Sequence, residues 1–73
     1  MDCLTEYLDA TLARYTAETD DGIGKALIFV DNDTLTPSRD LQENSKALVK
    51  FETDGVSTYR WYDTNEIKLE PIN

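Results

Sequence analysis

Residues 47–62, Ala47-Leu48-Val49-Lys50-Phe51-Glu52-Thr53-Asp54-Gly55-Val56-Ser57-Thr58-Tyr59-Arg60-Trp61-Tyr62, decide the fold. Lys46 to Thr53 reads as a strand, with Ala47, Val49 and Phe51 on one face. Thr53-Asp54-Gly55 is a hairpin turn, because Asp-Gly supplies the positive φ angles that tight hairpins need. Val56 to Tyr62 is the return strand. Its alternation puts Ser57, Tyr59 and Trp61 on one face and Val56, Thr58, Arg60 and Tyr62 on the other. Trp is highly buried on average, so Tyr59 and Trp61 are expected inside. Arg60 is then a solvated rung beside Glu52, or, with Tyr62, part of a binding surface. Tyr, Trp and Arg are the residue types enriched where proteins bind one another.

Reading outward, Asp63-Thr64-Asn65 is a turn. Glu66 to Glu70 is a short closing strand with Ile67 and Leu69 inward, stopped by Pro71. The hairpin and this strand form a three-stranded meander. Upstream, Lys25 to Val30 is a buried strand rich in large and β-branched residues, ended by Asp31-Asn32-Asp33. Residues 31–45 are the least regular stretch. Thr36-Pro37 forbids a regular helix across that point, and Ser38 to Glu43 forms either one helical turn or a polar binding loop.

At the start of the chain, Leu4, Tyr7, Leu8, Thr11, Leu12 and Tyr15 recur at three- and four-residue spacing, which predicts an amphipathic helix over residues 1–18 with Asp2 as its N-cap. Asp20-Asp21-Gly22 and Gly24 then break the chain. The expected fold is α+β in one domain, residues 1–73. Its N-terminal helix packs on a bent antiparallel sheet, or partial barrel, of four to five short strands within residues 25–70.

The stretch from Ala47 to Gly55, followed by Thr58-Tyr59-Arg60-Trp61 and closed by Ile67-Lys68-Leu69, resembles the C-terminal half of SH3-like small barrels. It is similar to the hairpin of mind-bomb-type and Tudor-like domains, in which an apolar-x-aromatic strand precedes an acidic residue, a Gly and a Tyr-Arg pair. The sequence departs from that pattern where Trp61-Tyr62 replaces the Gly that often follows Tyr-Arg, and in lacking a glycine-rich first strand. The resemblance implies the small-barrel fold and a domain that binds proteins or nucleic acids and rarely catalyses. It assigns no ligand pocket.

Composition narrows the function classes. The chain of 73 residues carries 15 acidic and 7 basic residues, a net charge of −8. Such a charge disfavours direct nucleic-acid contact, which needs clustered Lys and Arg, and anionic membranes. It favours a protein partner with a basic surface. There is no histidine, so the commonest general base and metal ligand is missing. The lone Cys3 forms neither an internal disulfide nor a Cys-His nucleophile, and it suits a reducing, cytoplasmic setting. The N-terminal residues carry early acids and no basic region, unlike a signal peptide. The apolar run Ala26 to Val30 is far short of the ~20 residues of a membrane helix.

Short motifs add no catalytic chemistry. Asp31-Asn32-Asp33 opens like a calcium loop but lacks the glycine and closing Glu, so it reads as a turn. Gly22-x-Gly24 follows no strand in this reading, so it is no phosphate cradle. The expectation is a non-enzymatic module without metal or cofactor that modulates or inhibits a partner protein, binding through Arg60, Tyr62, Asp31, Asp33, Asp40 and Glu43. Two alternatives stand beside it. Carboxylates spaced like phosphates would occupy the groove of a basic nucleic-acid-binding protein, as in small acidic inhibitors from phages or mobile elements that target host defence or anti-CRISPR-type partners. The other is an accessory subunit of a larger complex. These features are also compatible with a homo-oligomer.

Overall fold

The computed structural model describes residues 13–72. The strands are β1 (Tyr15–Thr19), β2 (Gly22–Asp31), β3 (Pro37–Ser38), β4 (Ser45–Thr53), β5 (Val56–Asp63) and β6 (Lys68–Pro71). They form one antiparallel sheet in the order β5-β4-β2-β1-β6, with β3 against β2. The predicted strands at Lys25 to Val30 and Lys46 to Thr53 are therefore present, the first longer than expected.

The pairing of β2 with β4 is the centre of the sheet. Ala26 stands opposite Val49 and Ile28 opposite Leu48, so Leu27 is an extra residue, a β-bulge. The bulge explains an apolar run without alternation. Leu27, Ile28 and Leu48 form one cluster, with Ala13 and Val30 against it. Ala26, Phe29, Ala47, Val49 and Ala17 form another, against which Tyr15, Phe51, Tyr62, Ile67 and Leu69 pack. Burying a side chain such as Phe29 or Ile28 contributes about 1.5–3 kcal/mol. Tyr15 meets Phe29 edge-on at 5.4 Å, and Phe51 meets Tyr62 at 6.1 Å, each worth about 0.5–1.5 kcal/mol more.

Tyr62 on β5 and Leu69 on β6 pack against the same cluster although their strands end the sheet order. A flat sheet would hold the two about 19 Å apart at about 4.8 Å per strand, so the sheet curls around that cluster. The face carrying Phe29 is its inner face. Curling also brings the Tyr62 hydroxyl to the β1–β2 turn, where it donates to Asp21 Oδ2 at 2.5 Å.

Several expectations are corrected. No α-helix occurs among the described residues, so the α+β class with a packed N-terminal helix is not seen. Tyr15 to Glu18, assigned to that helix, form most of β1, where Tyr15 faces Ala26 and Ala17 faces Gly24. Tyr15 packs on Phe29 as a strand residue, a tertiary contact that overrides helical spacing. The predicted helical residues up to Leu12, with Asp2 and Cys3, lie outside the described residues. The sheet has six strands instead of four to five. The closing strand is not the third strand of a meander: β6 pairs with β1, with Leu69 opposite Ala17. A 3₁₀ turn at Thr64–Glu66, capped by the Asp63 carboxylate on the Asn65 N–H, carries the chain away from β5. Ser38 to Glu43 form no helical turn. Pro37 and Ser38 pair with Val30 and Phe29 instead.

Two glycines are required by geometry. Asp54 and Gly55 have φ of 52° and 80°, the left-handed values of a two-residue hairpin turn joining Thr53 to Val56. Gly24 permits close approach of β2 and β4: a Cβ there would lie 2.5 Å from the Lys50 carbonyl oxygen and 2.7 Å from Val49 Cγ1. Gly24→Ala should therefore destabilise the fold by about 1–3 kcal/mol, the usual cost of overpacking, read as a lower urea midpoint at unchanged slope. A midpoint equal to the parent's would show that the strands separate freely at this point.

Candidate docking surface

A sheet edge exposes unpaired backbone groups, so each edge of this sheet needs an account. The half of β2 that runs beyond β1 is covered. β3 pairs with Phe29 and Val30, Arg39 Nη1 donates to the Leu27 carbonyl, and Gln42 Nε2 donates to the Phe29 carbonyl at 3.2 Å. β6 is short, carries Lys68 and Glu70, and ends in Pro71, all features that blunt an edge. β5 differs. It has eight residues, no proline, and no neighbour on its outer side among the described residues.

The tight hairpin decides which β5 groups are free. Thr53 and Val56 flank the turn as a hydrogen-bonded pair, and bonded pairs then recur at every second residue: Phe51–Thr58, Val49–Arg60 and Ala47–Tyr62. The N–H and C=O groups of Ser57, Tyr59, Trp61 and Asp63 therefore point away from β4. The side chains of the two aromatics in this set project from the outer face of the sheet, beside Lys50 and Leu48. Tyr59 is 42% exposed and Trp61 47%.

This reverses the expected faces. Tyr62 is the inward aromatic of β5, half-buried against Phe51, and Trp61 is the outward one. Alternation paired Tyr59 with Trp61 correctly. It could not choose the inner face, because Leu48 opposite Trp61 is as apolar as Ala47 opposite Tyr62. Arg60 stands opposite Val49, and Glu52 stands opposite Ser57 and meets Lys50 instead. Arg60 therefore has no rung with Glu52.

The structure does not gather the six expected binding residues. Tyr62 spends its hydroxyl on Asp21. Burial of the phenol first, then this bond to a carboxylate, raise its pKa above the ordinary 10.0. Arg60 is exposed on the inner side of β5. Asp31 turns its carboxylate onto its own loop, accepting from the Asp33 N–H at 2.8 Å and the Thr34 N–H at 2.9 Å. The Thr34 bond first and the Asp33 bond next hold its pKa below the usual 3.8. Asp33 accepts from Asn44 Nδ2 at 3.2 Å, which ties the two ends of the loop together. Asp40 pairs with Arg14 at 2.7 Å on the exposed surface, where such pairs contribute about 0–1 kcal/mol. Glu43 lines a cleft of about 420 Å³ with Leu41, Gln42, Thr64, Asn65, Ile67 and Leu69. Asp31 and Asp33 are thus loop scaffold, as the turn reading of Asp31-Asn32-Asp33 expected.

No protein-family model matches the chain, and no curated protein and no solved structure matches it. Among the described residues no helix is long and apolar enough to cross a membrane.

The lowered Asp31 pKa gives an acid limb of known sign. The stability tied to its charge is present above 3.8 and lost as pH falls through the lowered value. Asp31→Asn removes this dependence, so urea midpoints of the variant should fall less than the parent's between about pH 5 and about pH 2. Parallel curves would show that the two backbone bonds do not depend on the charge. At the alkaline end, stability tied to the neutral Tyr62 phenol is present below 10.0 and lost as pH rises through its raised value.

Proposed function

We propose that this chain is a non-enzymatic protein-binding module that modulates a partner by pairing an extended partner segment with the free side of β5. The supporting observation is the contrast between edges: β2 and β6 are covered or blunted, while β5 keeps a long rim that is unpaired among the described residues, with Tyr59 and Trp61 half-exposed beside it. Strand addition uses such a rim for affinity and neighbouring side chains for specificity. Aromatic anchors confer most of the binding energy in many interfaces. Arg60 is the one charged side chain between Val56 and Tyr62, so little repulsion opposes an incoming strand. The net charge of −8 favours encounter with a partner of opposite sign.

The SH3-like reading of residues 47–69 belongs to the same proposal. A curled antiparallel sheet is consistent with that class, whose members mostly bind other macromolecules. The nucleic-acid-mimic reading has less support, because Asp31, Asp33 and Asp40 already serve contacts within the chain.

The test starts from a partner captured by the purified chain from cells of its source. Trp61→Ala should weaken the captured complex by about 30-fold or more, the ~2 kcal/mol of an interface anchor, and Asp33→Asn should leave it intact. Binding should survive moderate salt, because the contacts are backbone bonds and aromatic area rather than ion pairs. The amides of Tyr59, Trp61 and Asp63 should exchange quickly in the free chain and become protected in the complex. A complex indifferent to Trp61, or β5 amides already protected in a dimer of this chain, would defeat the proposal.

A further inference from the structure

All four lysines of the chain, Lys25, Lys46, Lys50 and Lys68, lie on the outer face of the sheet. Their strand neighbours Ala26, Ala47, Val49 and Leu69 belong to the inner cluster, so alternation sends the lysines outward. Two of them are directly opposed: Lys25 faces Lys50 in the β2–β4 register. Like charges opposite one another destabilise a sheet, and this chain has acids in plenty with which to avoid the arrangement.

The opposed pair borders a cleft of about 300 Å³ lined by Thr16, Ile23, Gly24, Lys25, Lys50 and Glu52. Lys50 Nζ lies 3.7 Å from Glu52 Oε2, while Lys25 has no ion pair among the described residues. Thr16, next to Lys25 on β1, makes one long hydroxyl contact, 3.5 Å to the Glu70 carbonyl. The lining of the cleft sets two ammonium groups and a hydroxyl against the one carboxylate of Glu52, with Glu18 and Glu70 on the same face opposite Ile23 and Thr16. Ile23, 73% exposed, supplies an apolar wall.

We infer that the Lys25–Lys50 cleft is a binding site for a carboxylate-bearing ligand. A carboxylate sets one negative charge at the two ammonium groups and holds any second charge at its far end, whereas phosphate would set both of its charges there, beside Glu52. Lys50 already accepts a carboxylate as neighbour. The carboxylate belongs either to a small dicarboxylic acid or to an acidic segment of a protein. The site does not depend on pairing at β5, whose free rim lies beyond β4.

Amide chemical shifts of the whole chain, followed by NMR at constant ionic strength, test this. The probes are succinate, inorganic phosphate, a blocked tetraglutamate peptide and its tetraglutamine counterpart. The carboxylate probes should produce saturable shifts centred on Thr16, Gly24, Lys25 and Lys50. Lys25→Gln and Lys50→Gln should each weaken binding about tenfold, the loss of one charge-assisted contact, with Lys25→Arg restoring most of it. Succinate acting as well as the peptide assigns a small-molecule source, and a response to the acidic peptide alone assigns a protein source. Equal shifts with tetraglutamine, tighter binding of phosphate than of either carboxylate, or shifts unchanged in both Gln variants would overturn the site.

Discussion

The bulged pairing of β2 with β4 is the constraint on which the rest of the structure depends. By inserting Leu27 between two paired positions, it turns Leu27 and Ile28 to one cluster and returns Phe29 to the other. A small chain has little apolar area to bury, so placing side chains on both faces of its central strands is an efficient use of it. The close approach at Gly24 belongs to the same pairing, because it seats β2 tightly on Lys50 and Val49. From this pair the sheet extends through β1 and β6 on one side and through β5 on the other, and curls until Tyr62 reaches the β1–β2 turn.

Local chemistry was legible where it acts alone. Asp54-Gly55 specifies a turn by its backbone angles, Asp31 and Asp63 by bonding their own loops, and Pro37 by excluding helix. Long-range choices were not legible. Tyr15 has helical spacing from Leu8 and Leu12, but within the fold it is a strand residue stacked on Phe29, a partner many positions away. The route of β6 to β1 rather than β5 depends on a 3₁₀ turn after Asp63, and its polar residues look the same as those of a hairpin loop. The identity of the exposed aromatics depended on which face of β5 the curl encloses. Since Leu48 and Ala47 are both apolar, that information resides in the tertiary arrangement and not in the strand.

Charge teaches a similar lesson. A net value describes the far field, where the molecule is acidic. At the surface the distribution matters: the lysines share the outer face of the sheet, and several acids are engaged in loops, Asp31 by backbone N–H groups and Asp40 by Arg14. A ligand that arrives close to the sheet meets a face of mixed sign, where these lysines alternate with Glu18, Glu52 and Glu70, rather than uniform acidity.

One contact bears on how the domain can be joined to other polypeptide. The Ile72 N–H donates to the Arg14 carbonyl at 2.8 Å, so the strands that open and close the described fold come together. Sequence fused before the first strand and sequence fused after the last would leave from a common point beside β1 and β6, while β5 stands at the opposite end of the sheet order. The geometry is that of a plug-in unit: the first and last of the described strands offer adjacent attachment points to a host polypeptide.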